Sequence, residues 1–234
     1  MRTPANPLWK SRCLAGLCLF LAIAAFSADN DIESYTNSVN AAIPDADATG
    51  VSSTRTISNS GISALHGLEL VLSISGGFNG DLYAYLQHGD SLSVLLDRVG
   101  KTTGSSFGYD DSGLIVHFNE AAPNGDIHVY RAVVTPDPGT PLTGFWQPDA
   151  RTADPNTVTT SSPRSAGFSV FDGLNPNGQW TLFVADLSSG GQSVLVGWDL
   201  SISASPIPVP EPGSISLTFL GGIFLLLSSR RFRR

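Results

Sequence analysis

Between His66 and Ser75 the chain sets Leu68, Leu70, Leu72 and Ile74 on alternate positions, with Gly67, Glu69, Ser73 and Ser75 between them and Val71 as the one exception. A period of two turns one set of side chains to one face, so the segment predicts a strand with a single buried face. Val194, Val196, Trp198, Leu200 and Ile202 alternate with Leu195, Gly197, Asp199, Ser201 and Ser203 and predict another such strand, with both valines on the face of Trp198. Shorter runs predict strands at 81–87, 92–97, 114–118, 127–134, 168–171 and 179–185. Turn residues lie between them, at Gly76-Gly77-Phe78-Asn79-Gly80, His88-Gly89-Asp90, Asn124-Gly125-Asp126 and Asn175-Pro176-Asn177-Gly178. No stretch shows a helical period, and no repeat of domain-building length is visible. The pattern predicts an all-β fold, a jelly-roll-like β-sandwich.

Two parts of the body break the alternation. Residues 28–59 are poor in large apolar groups and rich in Asn, Ser, Thr, Asp and Ala, which predicts a leader with at most one edge strand ahead of a sandwich over 60–204. The Ser, Thr and Pro-rich stretch from Pro136 to Pro163 reads as a long loop interrupted by Phe145 and Trp146.

Both ends have a different character. Arg2, Lys10 and Arg12 precede an apolar run from Cys13 to Phe26, and Ala25 and Ser27 supply the small residues a signal peptidase reads, so residues 1–27 predict a secretory signal peptide. Leu17 stands where a lipoprotein signal needs a small residue before Cys18, which excludes lipidation. Cys13 and Cys18 are the only two cysteines, so the mature domain has no disulfide and depends on burial and backbone pairing. At the other end, residues 205–234 run from a proline-rich spacer through an apolar stretch, Ser214 to Ser229, to the cluster Arg230, Arg231, Phe232, Arg233, Arg234. A helix over that stretch rises about 24 Å against a hydrocarbon core of about 30 Å, so it predicts a single short membrane helix with its arginines on the cytoplasmic side.

Val209, Pro210, Glu211 and Pro212, followed by the helix and the Arg-rich end, resemble the PEP-CTERM sorting signal of Gram-negative bacteria. The resemblance implies recognition of the motif by the membrane peptidase exosortase, transient anchoring in the inner membrane, and release to the cell surface or exterior.

Charge narrows the partners. Of the 20 acidic side chains, all but Glu211 lie between 28 and 208, facing only Arg55, Arg98, Lys101, Arg131, Arg151 and Arg164. An acidic body repels phosphate backbones, so nucleic acid is excluded as a partner.

Within the body, Gly80-Asp81-Leu82-Tyr83-Ala84-Tyr85-Leu86 and the segment Ser91 to Gly100 are similar to the early core of the P domain (P/Homo B domain) of proprotein convertases. Gly144 to Asp149 looks like that family's aromatic-proline loop. Phe171 to Asp186 resembles its most recognisable stretch, and Gly197 to Ile202 its closing strand. The likeness covers about residues 60–203 and implies a jelly-roll sandwich of the kind that adjoins a subtilisin-like catalytic domain. His88-Gly89-Asp90 departs from the family's usual Ser-Pro-x-Gly-Thr turn.

No catalytic set accompanies the likeness. The chain has no Gly-x-Ser-x-Gly elbow and no segment resembling the subtilisin Asp, His or Ser signatures, and its four histidines, His66, His88, His117 and His128, read as surface or strand residues. Trp180 and Trp198 read as core. Asp186 reads either as a turn-ordering carboxylate or, with Asp81, Asp110, Asp111 and Asp126, as a candidate calcium ligand, since hard cations take clustered carboxylate oxygens. Phe145 and Trp146 read either as a core plug or as rings that stack on a sugar. The sequence therefore predicts an exported, non-catalytic surface or extracellular-matrix module acting through protein or polysaccharide contact. Two alternatives stand beside it: a calcium-dependent carbohydrate-binding module and an accessory domain of a subtilisin-like protease system.

Overall fold

The structure, a computed structural model, describes residues 32–209. Ala25, Ser27, Pro210, Glu211, Pro212 and the apolar tail lie outside the described residues. Within them no helix is long and apolar enough to cross a membrane.

Among the described residues nine strands run in chain order: β1 (Ile32–Ile43), β2 (Asp47–Ile57), β3 (Gly67–Gly76), β4 (Leu82–His88), β5 (Ser91–Asp97), β6 (Leu114–Asn119), β7 (Leu142–Trp146), β8 (Gly178–Asp186) and β9 (Ser193–Ser203). They form one five-stranded sheet, in the order β1-β9-β3-β6-β7, and one four-stranded sheet, in the order β2-β8-β4-β5. All pairings are antiparallel except β6 with β7. The all-β sandwich read from the alternation is what the chain builds.

Period-two patterning explains the core. Leu68, Leu70, Leu72 and Ile74 of β3 face inward, as do Leu82, Ala84 and Leu86 of β4 and Trp180, Leu182 and Val184 of β8. Trp180 is fully buried and Trp198 nearly so, which bears out both as core. The indole N–H of Trp198, on β9 in the first sheet, donates to Ser53 Oγ on β2 in the second, 3.0 Å away. Burial of the two rings removes a large apolar area from water, and that one bond also ties the sheets together.

Four expectations need correction. Residues 32–57 are two long strands rather than a leader with at most one. Each lies at a sheet edge, β1 on β9 and β2 on β8, where backbone pairing and one half-covered face suffice. Ile43 and Ile57 are buried, and Tyr35, Val39 and Val51 pack partly against the core. Register shifts between Ser38 and Ala41 and between Asp47 and Val51, with Asn40 and Gly50 at positive φ, interrupt the pairing, and the faces of β2 lose their alternation near Gly50. β1 alternates throughout, but its inward set of Glu33, Tyr35, Asn37, Val39 and Ala41 is too polar and small to reveal a strand.

The predicted strands at 127–134 and 168–171 are short 3-10 helices, Ile127–Ala132 and Phe168–Phe171. The first is started by the Asp126 carboxylate, which accepts the His128 backbone N–H at 2.9 Å. The loop predicted from Pro136 to Pro163 contains β7, whose backbone lies parallel to β6. Finally, β9 carries a bulge opposite Ser73 and Ile74, so Leu195 turns inward and Val196 outward, the reverse of the simple alternation; Trp198, Leu200 and Ile202 keep the predicted face.

Candidate functional site

The densest polar chemistry is a buried cluster on the margin of the four-stranded sheet. After β7 the chain runs alongside β5, with the Asp149 N–H donating to Leu95 O at 3.1 Å and the Ala150 N–H to Val94 O at 2.9 Å. This delivers Asp149 and Arg151, 0% and 2% exposed, to the 3-10 helix that carries the fully buried His128. His128 is thus neither a surface nor a strand residue, which corrects the sequence reading. Its Nδ1 lies 2.8 Å from Asp149 Oδ2 and its Nε2 lies 3.1 Å from the Lys101 carbonyl. Arg151 donates from Nη1 to Asp149 Oδ1 at 2.9 Å and from Nη2 to Asp126 Oδ2 at 2.8 Å, and it caps the Thr159 and Thr160 carbonyls. Asp97, fully buried beside this group, has no hydrogen-bond partner among the described residues on either carboxylate oxygen.

The electrostatics follow from that packing. Burial, then the neighbouring Asp149 charge, push the Asp97 carboxyl up to about 7. Burial opposes charge on His128, but the Asp149 hydrogen bond and charge outweigh it and raise the imidazole above its ordinary value. Burial likewise works against the Asp126 carboxylate, but the hydrogen bonds it accepts from Arg151 and from the His128 backbone N–H reverse the balance and hold it low. His128 and Asp149 have the spacing of an acid-base dyad, yet both ring nitrogens are engaged within the fold and neither residue reaches solvent. The arrangement is suited to locking the 101–164 segments together rather than to moving a substrate's proton.

The five candidate calcium ligands fall into three places. Asp126 belongs to the buried cluster. Asp110 and Asp111 are both held by Arg131, the latter at 2.8 Å. Asp81 and Asp186 meet at the end of the sandwich where β3–β4 and β8–β9 turn, and burial raises both carboxyls first, with Asp45 adding repulsion. Arg98 enters this group, its Nη2 lying 3.4 Å from Asp81 Oδ1 and 2.7 Å from Ser188 Oγ. Asp186 also accepts the Ser188 backbone N–H at 3.3 Å, the turn-ordering bond that a carboxylate after a strand can make. Among the described residues no group of three or more His, Cys, Asp or Glu is arranged to hold a metal ion.

Phe145 and Trp146 separate. Trp146 is fully buried and donates its indole N–H to the Thr143 carbonyl at 2.9 Å, so it cannot stack on a ligand; this corrects its candidacy as a contact residue. Phe145 is half-buried with its ring 4.6 Å from that of His117. Val209 is the one sorting-motif residue within the described span.

The sequence reading missed the exposed rings. Phe78 and Phe107 project from turn segments at the Asp81 end, 40% and 72% exposed, and flank a small cleft. A signal was available: each Phe sits among Gly, Ser and Asn residues in a turn, where no alternation can bury it.

No family model matches the chain, and no curated protein does. Among solved structures, the serine protease of Aeromonas sobria matches at 16% identity and a TM-score of 0.37, over 73% of this chain and 27% of that one. The complex of that protease with a chaperone matches at 14% identity and a TM-score of 0.36, over 73% of this chain and 26% of that one. The chain thus spans about a quarter of the length of these neighbours.

Proposed function

We propose that the chain is an exported, non-catalytic β-sandwich module that works by contact with a protein or polysaccharide outside the cell, after its tail has been recognised and processed by exosortase. The observation that carries the contact reading is the division of its chemistry. Its buried acid-base groups, His128, Asp149 and Asp126, are engaged with one another and with Arg151 inside the fold, and the half-exposed His117 is held by Glu69 across β3 and β6, while the exposed end presents aromatic rings at a cleft. The export and sorting steps rest on the order of charge, apolar run and motif at the two ends of the sequence. Cell fractionation and intact mass of the native protein test them. The wild type is expected at the exterior without either end, and the variant with Pro210, Glu211 and Pro212 changed to Ala is expected to stay in the membrane. Equal retention of both would reduce the tail to a plain anchor.

A second reading has the module as an accessory domain in a subtilisin-like protease system, with a jelly-roll P domain as its model. Its support is that Phe171 to Asp186 and Gly197 to Ile202, the segments most like that family, supply β8 and β9, the strands next to the edge in each sheet. Affinity purification from the native host tests it: a stoichiometric subtilisin-like peptidase is expected, and its consistent absence would sink this reading.

A further inference from the structure

Ile32 pairs with Ser203 at one end of the β1–β9 ladder and Ile43 with Ser193 at the other, so the described chain enters and leaves at the same end. Phe78 and Phe107 lie at the opposite end, away from the tail that follows β9. Between them is a cleft of about 160 Å³ lined also by Tyr109, Asp110, Asp81 and Ser189. The segments that carry the two rings are fixed to each other by backbone bonds. The Asn79 N–H donates to Asp111 O at 2.9 Å, the Gly80 N–H to Tyr109 O at 2.8 Å, and the Tyr109 N–H to Val99 O at 3.0 Å. A Cβ on Gly80 would collide with the Phe107 carbonyl and the Tyr109 amide, so only glycine lets the segments come this close. The Arg131 guanidinium lies 4.8 Å from the centre of the Tyr109 ring and anchors the far side. Two phenyl rings are thus held in water by a rigid frame, a costly arrangement for a surface with no partner.

The charge around the rings is one-sided. Asp45 is exposed and the Asp110 side chain is 79% exposed. Of the cations at this end, Arg98 is buried against Asp81 and Arg131 is turned onto Asp110 and Asp111. Anionic membrane surfaces are repelled by such an end. Ser189 and the carboxylates on the cleft wall can accept a glycan's hydroxyls, but an uncharged glycan leaves the one-sided negative charge unanswered, which a cationic side chain answers.

We propose that this cleft docks a protein segment in which a Lys or Arg stands beside an apolar side chain, the apolar group entering between Phe78 and Phe107 and the cation facing Asp110 and Asp45. The proposal rests on the contact-module reading and names the chemistry of its partner.

The test uses the full chain in detergent, a fluorescent hexapeptide alternating Lys and Leu, the matching Glu-Leu peptide, and a neutral glucan. The Lys-Leu peptide is expected to bind, to weaken with added salt, and to lose at least about tenfold in affinity in the Phe78→Ala/Phe107→Ala double variant. Both rings are exposed, so an unchanged unfolding transition will show that the variant is folded. Asp45→Asn, which keeps a side-chain oxygen to accept the Gly190 N–H, is expected to give a smaller loss. Absence of Lys-Leu binding, equal binding of the Glu-Leu peptide, or affinity untouched by the double variant would overturn the proposal, and glucan binding lost in that variant would reassign the cleft to polysaccharide. Retention of the wild type and the double variant on the host surface, scored in parallel, separates the two readings. If both are retained equally while the peptide fails, the contact-module reading stands and this cleft is not its site; if neither is retained, that reading falls too.

Discussion

The buried cluster around Asp149 and the open end around Asp110 are built from the same materials, aspartates answered by arginines, and they come out opposite. Asp149 and Arg151 are sealed, and each of their side-chain polar atoms meets a partner within the fold. Asp110 extends into water, and its Arg131 is shared with a second carboxylate and an aromatic face. The difference shows that an acidic, arginine-poor composition does not assign its charges to solubility or to binding. That is decided by whether a returning loop closes over them.

The largest expected effect comes from breaking the sealed side. Arg151→Met leaves the buried Asp149 with His128 alone and Asp126 with only the more distant Arg164, 3.8 Å away, and a loss of about 3 to 5 kcal/mol in unfolding free energy is expected in urea titration. The same kind of change at Arg131, whose side chain is 30% exposed, is expected to cost about 1 kcal/mol or less. Equal losses would mean that the two regions do not differ as described.

The next effect is in pH. A carboxyl raised from 3.8 to about 7 by folding binds its proton more tightly in the folded state, so the stability it contributes is full below about 4 and is lost as pH rises toward 7. His128, also raised on folding, adds a further loss as pH climbs from 6.5 through its folded value. Asp126, held low, acts in the opposite sense and withdraws stability only as pH falls below the ordinary carboxylate range. The thermal midpoint is therefore expected to rise as pH is lowered from 8 to about 5. Asp97→Asn is expected to gain on the order of 2 kcal/mol at pH 8 and to flatten the slope below 7. A midpoint that rises with pH across this range would contradict the burial of Asp97.

A smaller effect is expected at the link between the sheets. Ser53→Ala removes the acceptor of the Trp198 indole, and a cost of about 1 kcal/mol is expected in the same urea experiment. The smallest belongs to the open end. Phe107→Ala is expected to change stability by no more than about 0.5 kcal/mol, since the ring is 72% exposed.

Much of this architecture could be read from residues alone where one face of a strand is apolar. β3, β4, β6 and β8 follow their alternation closely, and Trp180 and Trp198 lie where it puts them. Legibility fails where the backbone supplies the order instead. β1 and β2 pair through their main chains, carry Ser, Thr and Asn outward, and lose register at Asn40 and Gly50. Ile127 to Ala132 has the β-branched residues of a strand, but Asp126 caps it into a helical turn. The sites failed for a related reason. His128 lies far in sequence from Asp149 and Arg151, and only the return of the chain beside β5 brings them together. Asp81 and Asp186 were read as candidates for a shared role and do converge, although Arg98 pairs with Asp81 and donates to Ser188 beside Asp186.

The position of Ile32 opposite Ser203 has a mechanical consequence. A pull applied between these two residues draws β1 off β9 from one end, breaking backbone bonds one after another, which is the easy direction for a ladder to yield. A pull between Ser203 and the far loops runs along β9, whose bonds to β1 and β3 lie across the force and must give together. A module held by the chain that follows β9 and gripped at its distal end would therefore be stressed along its stiff axis, in shear, rather than unzipped from β1.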